Sequence, residues 1–469
     1  MSYKWLESAM LENPDKLAVK YKDKTLNYRQ LYMKSHELST HLETLNQKRV
    51  GLLIDNSLDS VILIHGLMLH GVEMVLLNTR LTGHEIRSQL DDVVVDTVIT
   101  TIQAEIPDTK IIHFDELYDL PSATAMVNQP DADDILSIMF TSGTTGRSKA
   151  VPQTYGNHQA SHNNCQNEMN YNEDSVWMMV NPIFHISGLS VMFRTVMSQS
   201  TLILVNKFDP ESVWSILENE KVSHTSMVPV MLKRLLKFKG KHCLEGILLG
   251  GASTTPKLLK TAIDQGLPVY NSFGMTETCS QIVQISSNDK NILNGTVGNI
   301  HTTATKIKLD ESTHELLIKG DSVVKEYLNA DMNHTDGYFN TGDVASIDDD
   351  GYIYILDRRN DLIISGGENI YPKEIEDVVY MLDEVNRCVV IKKDDDEWGQ
   401  VPVLLLEEPV DKPRLLNHLY EHLAKYKIPR EIHYVDEIKL TSTGKISRTI
   451  NRNMFLDLDE KVLKDDTKI

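Results

Sequence analysis

Residues 140–151 have the sequence FTSGTTGRSKAV, in which hydroxyl side chains and glycines follow an apolar run and precede two cations. The apolar run, ILSIMF at 135–140, predicts a buried strand. Gly143 and Gly146 allow backbone N–H groups to approach an anion closely. The hydroxyls belong to Thr141, Ser142, Thr144 and Thr145, and the cations are Arg147 and Lys149. The pattern favours a loop that binds phosphate groups, and a polar surface loop is the alternative.

Outside this loop, the first three hundred residues alternate short apolar runs, such as GLLI at 51–54, with helical patterns. That alternation predicts an α/β fold with mainly parallel sheets. From Leu309 onward the sequence favours short strands and tight turns. In particular, VASIDDDGYIYILD at 344–357 predicts a β-hairpin with its turn at Asp349-Asp350-Gly351.

The last hundred or so residues predict a small α+β lobe. One helix should begin at Pro372, because proline suits the first helical turn, and a second should begin near Pro413. The side chains expected to point inward are Ile375, Val379 and Leu382 in the first helix and Leu416, Leu419 and Leu423 in the second. We therefore expect a large N-terminal domain, residues 1–359, and a small C-terminal domain, residues 360–469.

Composition and charge restrict the function classes. The chain has 469 residues, of which 41% are hydrophobic and 24% charged, a globular composition with room for two or three lobes. A formal net charge of −20 argues against nucleic acid or an anionic membrane surface as the partner. The longest apolar stretch, residues 61–77, is broken by His65, His70 and Glu73, so we expect a buried helix there rather than a membrane span.

Cysteine usage and the N-terminus bear on the compartment. The four cysteines, at positions 165, 243, 279 and 388, lie far apart and predict reduced thiols rather than a disulfide or a zinc site. The first ten residues, MSYKWLESAM, lack the basic start and apolar run of a signal peptide. We expect a cytoplasmic protein without a membrane span. Its oligomeric state stays open, with a homo-oligomer among the alternatives.

Five motifs that follow one another along the chain give a more specific indication. They are TSGTTGRSK at 141–149, YNSFGMTET at 270–278, YFNTGDVA at 338–345, DRRNDLIISGGENIYPKEIE at 357–376 and STGKISR at 442–448. In this order they resemble the motifs of the acyl-adenylate-forming superfamily, which includes acyl-CoA synthetases, peptide-synthetase adenylation domains and firefly luciferase. The resemblance extends over most of the chain.

The resemblance implies two half-reactions and the residues that serve them. A carboxylic acid and ATP, with Mg²⁺, first give acyl-AMP and pyrophosphate, and the thiol of coenzyme A (CoA) then displaces AMP. The implied catalytic residues are Lys445, Thr141 and Lys149, and Glu277 is implied to position Mg²⁺. The implied nucleotide contacts are Ser142, Gly143, Thr144, Thr145, Gly250, Gly251, Ser272, Phe273, Gly274, Met275, Thr276, Asp343 and Arg358.

The same resemblance implies that the C-terminal domain is mobile and carries Lys445. The pivot would be Asn360, where relatives usually have Asp or Lys, so this position departs from the family pattern. Gly366 and Gly367 would border the CoA channel, because glycine permits close approach. Simpler explanations exist for single residues: Phe273 as a core residue, Gly250-Gly251 and Asp343 as turn formers, and Glu277 and Lys445 as surface charges.

The stretch NPIFHISGLSVMFR, residues 181–194, bears on which acid is activated. By resemblance, His185 lines the acyl pocket. Arg194 follows in an apolar, helix-like run, where a cation needs an anionic partner. A dicarboxylic substrate would supply that partner, and an internal salt bridge is the alternative. The pattern is similar to that of the o-succinylbenzoate–CoA ligases of bacterial menaquinone synthesis.

Three other functions are alternatives. A fatty or aryl acyl-CoA synthetase would use the same nucleotide residues but would need no arginine in its acid pocket. A carrier-loading adenylation enzyme would pass the acyl group to a protein-bound thiol instead of CoA. A non-catalytic relative would be expected to lack Lys445 or Glu277, and both are present. The partners we expect are therefore a small-molecule acid, ATP and CoA, without nucleic acid.

Overall fold

The computed structural model describes residues 3–123, 128–141, 148–358, 361–365, 368–395, 398–441 and 444–456. The chain divides into two compact units. The first comprises Met1–Ile307, Ile318–Phe339 and Asp349–Tyr352, and the second comprises Lys308–Leu317, Asn340–Asp348 and Ile353–Ile469. Because two stretches ahead of residue 359 group with the second unit, the boundary expected at 359/360 stays a prediction.

Helices and strands alternate along much of the first unit. In chain order, the helices are α1 Trp5–Glu12, α2 Tyr28–Leu42, α3 Leu58–His70, α4 Gly83–Asp92, α5 Tyr155–Met169, α6 Ile186–Met197, α7 Pro210–Asn219, α8 Pro229–Leu235, α9 Pro256–Asp264, α10 Pro372–Val379 and α11 Lys412–His422. The strands are β1 Leu17–Tyr21, β2 Lys24–Asn27, β3 Arg49–Leu53, β4 Glu73–Leu76, β5 Thr97–Thr100, β6 Lys110–His113, β7 Ile135–Thr141, β8 Lys149–Thr154, β9 Val176–Met179, β10 Thr201–Leu204, β11 His224–Met227, β12 Gly246–Leu249, β13 Val269–Met275, β14 Ser280–Ser286, β15 Gly298–Asn299, β16 Lys306–Leu309, β17 Glu315–Lys319, β18 His334–Thr335, β19 Tyr338–Ile347, β20 Tyr352–Arg358, β21 Ile363–Ser365, β22 Glu368–Ile370, β23 Cys388–Asp395, β24 Gly399–Leu406 and β25 Glu431–Tyr434. Helical backbone also occurs at 448–456.

Two parallel-rich sheets form the frame of the first unit. One has the order β6-β5-β3-β4-β7-β8, and its neighbours are parallel except for β7 and β8. The other has the order β14-β13-β12-β11-β9-β10-β1-β2, with antiparallel pairs at its two ends only. Inner strands such as β4, β9, β10, β11 and β12 are buried almost throughout, as expected when helices cover both faces. The predicted α/β class is confirmed.

The apolar stretch at 61–77 is more than the single buried helix we expected. Helix α3 ends at His70 because Gly71 adopts a left-handed conformation with φ of 87°, a common helix stop. Glu73 then begins strand β4, where Arg49 donates to its carboxylate at 2.7 Å. Within the part of the chain that the structure describes, none of the helices has the length and apolar character required to cross a bilayer.

The second unit has the small α+β fold that the sequence predicts. Strands β19 and β20 pair antiparallel, with Ile347 opposite Ile353, so the hairpin at 344–357 is confirmed. A further sheet has the order β22-β21-β24-β23, with β25 beside β24. Helix α10 begins at Pro372 as expected. In α11 the buried face contains Leu415 and Leu419, whereas the predicted Leu416 is only partly buried.

Candidate active site

The predicted phosphate loop connects two antiparallel strands of the first unit. Thr141, at the end of β7, is in register with Lys149, at the start of β8. The four loop residues between them that we expect to contact the nucleotide, Ser142, Gly143, Thr144 and Thr145, lie outside the described residues. Both flanking residues are half-buried, so the strands bring a hydroxyl and an ammonium group to the two ends of one short loop.

A tyrosine connects Lys149 to Glu277. The ammonium Nζ of Lys149 lies 4.6 Å from the ring centroid of Tyr327, a cation–π contact. The hydroxyl of Tyr327 donates to Oε1 of Glu277 at 2.8 Å. Glu277 is 4% exposed, so it is not the solvated surface residue of the simpler explanation. A buried carboxylate with oxygens as its only donor atoms is chemically suited to Mg²⁺, which prefers oxygen ligands.

The segment that contains Glu277 is fixed against the phosphate-loop strands. Gln153 of β8 donates from Nε2 to the Thr276 carbonyl at 2.8 Å. The backbone N–H of Val324 donates to the Glu277 carbonyl at 2.9 Å. These bonds join three segments that are far apart in sequence. The predicted phosphate and magnesium residues of the first unit therefore lie on one connected framework.

The predicted adenine residues lie on β13 and just after β12. Ser272 donates from Oγ to the Leu249 carbonyl at 2.7 Å, which fixes the end of β12 beside β13. At Gly274 an added Cβ would lie 2.1 Å from the Ser280 carbonyl oxygen, so only glycine fits there. Phe273, Met275 and Thr276 are half-buried on the same segment.

Gly250 and Gly251 follow β12 directly. An added Cβ at Gly250 would lie 3.1 Å from Ser272 Oγ, and Gly251 has φ of +79°, which favours glycine. They stand at the carboxyl end of parallel strands, where open α/β sheets bind their ligands. The position is compatible with a nucleotide or acyl contact as well as with a simple turn.

The acid-pocket candidates lie at the start and near the end of α6. His185 is the residue that precedes the helix, and Arg194 is 1% exposed in its last turn. Arg194 donates from Nη2 to Oε1 of Gln281 on β14 at 2.7 Å. Among the described residues, its Nε and Nη1 have no hydrogen-bond partner, and neither has Nε2 of Gln281.

The surroundings of Arg194 are neutral. Burial lowers the pKa of both His158 and His162 to about 3, and the charge of Arg194 adds to that effect. Neither imidazole is therefore protonated at neutral pH. The described residues include no carboxylate in an ion pair with Arg194. The buried guanidinium of Arg194 therefore faces amide and imidazole groups, and two of its nitrogens have no hydrogen-bond partner among the described residues.

Two of the predicted site residues, Asp343 and Lys445, lie in described parts of the second unit. Asp343 is 4% exposed on β19, in register with Arg358, and its N–H donates to Thr341 Oγ1 at 3.1 Å. The side chain of Arg358 lies outside the described part of the chain. Lys445 is exposed in a tight loop that a Leu440–Ile446 bridge closes. Asn360, Gly366 and Gly367 lie outside the described residues.

Comparison with known proteins decides the family. The family model described as AMP-binding enzyme matches residues 6–328, and the model described as AMP-binding enzyme C-terminal domain matches residues 374–445. The chain belongs to the AMP-binding enzyme family. A curated relative, 2-succinylbenzoate–CoA ligase of Staphylococcus epidermidis, is 42% identical over 455 residues, which cover 95% of this chain and 96% of the relative.

Solved structures of similar proteins are consistent with this family assignment. The o-succinylbenzoate CoA synthetase of Bacillus subtilis, in complex with its acyl-adenylate intermediate, has a TM-score of 0.89 and 33% identity over 95% of this chain and 97% of that one. The same synthetase with ATP and magnesium gives a TM-score of 0.89, with 33% identity over 95% of this chain and 98% of that one.

Two residues of this AMP-binding enzyme were not predicted from its sequence, namely Tyr327 and Gln281. Tyr327 belongs to no motif, and its partners Lys149 and Glu277 precede it by many residues. Gln281 stands in an ordinary strand pattern, and its bond to Arg194 spans 87 positions. Neither stretch carries a local signal for such contacts, so only the fold reveals them.

Proposed function

We propose that this AMP-binding enzyme activates 2-succinylbenzoate with ATP and transfers the acyl group to CoA. The products would be o-succinylbenzoyl-CoA, AMP and pyrophosphate, as part of menaquinone synthesis. The observation that carries the proposal is the buried guanidinium of Arg194, whose Nε and Nη1 have no partner within the described part of the chain. The named activity of the 42% identical relative supports the same acid.

The choice of a dicarboxylic acid as the substrate rests on the free-energy cost of burying the charge of Arg194. A buried cation without an anion loses several kcal/mol of hydration free energy, which neutral neighbours recover only in part. Arg194 has one amide acceptor, Gln281, and two unused donor nitrogens. A second carboxylate on the substrate would accept from those nitrogens. In 2-succinylbenzoate, the aliphatic carboxylate would be activated while the aromatic one pairs with Arg194, and His185 would line the same pocket.

The first half-reaction needs positive charge beside the triphosphate. Thr141, Lys149 and the hydroxyls of residues 142–145 would hold the leaving pyrophosphate. Lys149 is held for this task by the ring of Tyr327. Mg²⁺, when bound, neutralises phosphate charge, and the buried carboxylate of Glu277 would help to hold it. Gly250, Gly251 and residues 272–276 would contact the adenine, and Asp343 and Arg358 the ribose and phosphate.

The second half-reaction would use the C-terminal residues differently. Lys445 would stabilise charge on the α-phosphate during adenylation and leave once acyl-AMP has formed. Rotation about Asn360 would then bring Gly366 and Gly367 to the pantetheine thiol of CoA. A cytoplasmic location belongs to the same proposal, and the four free cysteines support it.

Pyrophosphate release with matched acids tests the proposal. The panel compares 2-succinylbenzoate, 4-oxo-4-phenylbutanoate (the same acid without its aromatic carboxylate) and octanoate. Loss of a buried charge pair costs about 2–5 kcal/mol, so 2-succinylbenzoate should have the highest kcat/KM by at least about thirtyfold. Equal or faster turnover of either monocarboxylic acid would contradict the dicarboxylate assignment and favour another acyl-CoA synthetase.

A separate measurement tests whether CoA or a carrier protein accepts the acyl group. With 2-succinylbenzoate and ATP present, free CoA should give a thioester at the rate of pyrophosphate release. Adenylate that accumulates without any CoA thioester would overturn the CoA assignment and favour a carrier-loading enzyme.

A further inference from the structure

Helix α11 of the second unit places three side chains of metal-ligand type together, outside every motif above. His418, Glu421 and His422 follow one another at spacings of three and one, so all three project from the same side of the helix. One ligand atom from each lies within 4.8 Å of the other two. The rings of His418 and His422 have centroids only 4.4 Å apart.

Hydrogen bonds fix the tautomer of both histidines. Nε2 of His418 lies 3.0 Å from the Val378 carbonyl, and Nδ1 of His422 lies 2.8 Å from the His418 carbonyl. A carbonyl oxygen only accepts, so each of these nitrogens carries the proton and donates. In the neutral form of each ring, the other nitrogen then has the lone pair. A histidine that donates one N–H to a carbonyl while its second nitrogen is free has the arrangement that is usual for metal ligands.

The third side chain and the helix end supply negative charge. Glu421 is exposed, and within the described ranges its carboxylate has neither an ion pair nor a hydrogen bond. Glu421 and His422 lie in the last turn of α11 and His418 just before it, at the helix end where the dipole favours a cation. Leu415 and Leu419 anchor a neighbouring face of α11 in the core, so the helix that carries the three side chains is held in place.

We propose that His418, Glu421 and His422 form a site for a divalent transition metal of the Zn²⁺ class. Two imidazole nitrogens and one carboxylate oxygen are a common zinc donor set, and water would complete four-coordination. Ligands on one zinc ion lie at most about 4.2 Å apart, given bonds of about 2.1 Å. Exposed Glu421 and His422 reach that spacing by small side-chain rotations. Mg²⁺ prefers oxygen donors and does not suit this set.

The bound ion would cross-link three side chains near the end of α11. Because His418 also bonds to Val378, the ion would strengthen the connection between α11 and the end of α10. Val378 lies in the last turn of α10, and its carbonyl accepts both from the N–H of Met381 at 3.1 Å and from His418 at 3.0 Å. Metal binding to the folded state alone raises its stability. The site therefore serves the stability of the second unit, independently of the acid and the nucleotide.

Zinc titration of the untagged full-length chain tests this site. Cys243 is an exposed thiol, and thiols bind zinc, so the titration uses a Cys243→Ser background stripped of metal with EDTA. Calorimetry should give one equivalent of Zn²⁺ that excess Mg²⁺ does not displace. Glu421→Gln and His422→Gln should each weaken binding about tenfold or more. Tyr420→Ala, an exposed change on the same turn, is the matched control and should bind as the parent does.

In the titration, two outcomes would overturn the site. One is the absence of stoichiometric Zn²⁺ binding. The other is undiminished binding by the double variant Glu421→Gln/His422→Gln. Melting curves in EDTA verify that each variant is folded. Co²⁺ provides a measurement that needs no variant, since the parent should show the visible absorption of a tetrahedral nitrogen- and oxygen-coordinated ion, and a six-coordinate aqueous spectrum would contradict the proposal.

Discussion

Nη2 of Arg448 lies 2.6 Å from Oε2 of Glu376, and this ion pair joins the Lys445 segment to helix α10. The other terminal nitrogen of Arg448 lies 3.3 Å from carboxylate oxygens of both Asp357 and Asp361. These two aspartates flank the predicted pivot, and Arg448 comes three residues after Lys445. One cation thus connects the predicted hinge segment to the segment of the predicted catalytic lysine.

The first prediction is that Arg448→Gln destabilises the second unit, and more at pH 8 than at pH 5. The side chains of Arg448 and Glu376 are 20% and 12% exposed, so removal of one partner from this partly buried pair should cost less than the roughly 3–5 kcal/mol of a fully buried one. Burial raises the pKa of Glu376 to about 6, against the opposing charge of Arg448. Between pH 4.5 and 6 the folded state therefore binds this proton more readily than the unfolded chain, and the stability from Glu376 falls as pH rises through that window. At pH 5 the orphaned Glu376 is largely protonated, so the loss is smaller.

Native-state hydrogen exchange over strands β23 and β24 measures this loss within the second unit. Arg414→Gln is the matched control, because Arg414 is exposed and pairs with Glu384, and such a pair contributes about 1 kcal/mol or less. Equal losses in both variants, or a loss that does not depend on pH, would contradict the role of Arg448 in this ion pair.

The second prediction concerns acid stability of the first unit. Burial lowers the pKa of His65 in α3 to about 4, below its ordinary 6.5. The neutral ring is thus the folded form, and its contribution is fully present above pH 6.5 and lost as pH falls towards 4. From pH 7.5 to pH 5 this group alone costs about 2 kcal/mol of unfolding free energy. His65→Leu should remove that part of the pH dependence.

Urea unfolding at pH 7.5 and pH 5 measures the effect. His84→Leu is the matched control, because His84 is exposed on α4. If His65→Leu and the parent lose the same free energy between the two pH values, the buried histidine is not the cause.

Much of the fold could be predicted because its signals are local. Pro372 sets the start of α10, and the acidic Asp-Asp-Gly turn sets the hairpin of β19 and β20. The stretch at 61–77 predicts one helix instead of a helix and a strand, because buried helices and buried strands have similar composition. Only Gly71 and Val72 separate the two elements, and Gly71 ends the helix. Packing, rather than propensity, decides such cases.

The candidate site was predictable only where it coincides with contiguous motifs. Glu277 and Lys149 stand in such motifs, but Tyr327, which touches both, does not. The burial of Arg194 could be inferred from its apolar neighbours, whereas its single bond to Gln281 could not. Contacts between distant segments depend on the strand order, which no short stretch specifies.

The third prediction is that Arg194→Met changes which acid is used. Methionine keeps most of the side-chain volume and removes the charge, so a cavity is not the cause of any loss. For 2-succinylbenzoate, the loss of the charge pair should raise the transition-state free energy by about 2–5 kcal/mol, and kcat/KM should fall accordingly. For 4-oxo-4-phenylbutanoate, kcat/KM should be unchanged or higher. Steady-state pyrophosphate release with both acids gives the ratio.

Gln281→Glu is the companion variant, since it offers Arg194 an internal carboxylate and should also reduce use of the dicarboxylic acid. The KM for ATP should stay near its original value in both variants. Parallel loss with both acids would point to general damage, and wild-type kinetics with 2-succinylbenzoate would remove Arg194 from substrate binding.

The fourth prediction separates the two half-reactions through Lys445. Its loop is narrow: the N–H of Gly444 donates to the Thr441 carbonyl at 2.9 Å, and Gly444 has φ of 82°, so the exposed lysine follows a tight turn. A preorganised charge at a transition state contributes about 10²–10³-fold to the rate, or roughly 2.7–4 kcal/mol. Lys445→Ala should therefore slow formation of acyl-AMP by that factor. Thioester formation from supplied acyl-AMP and CoA should continue, because the lysine serves the first half-reaction only.

Lys439→Ala, which removes an exposed lysine six residues earlier, is the matched control and should leave both steps intact. Equal loss of both steps in Lys445→Ala would contradict a separate role in adenylation, and no loss in either would leave Lys445 as a surface residue.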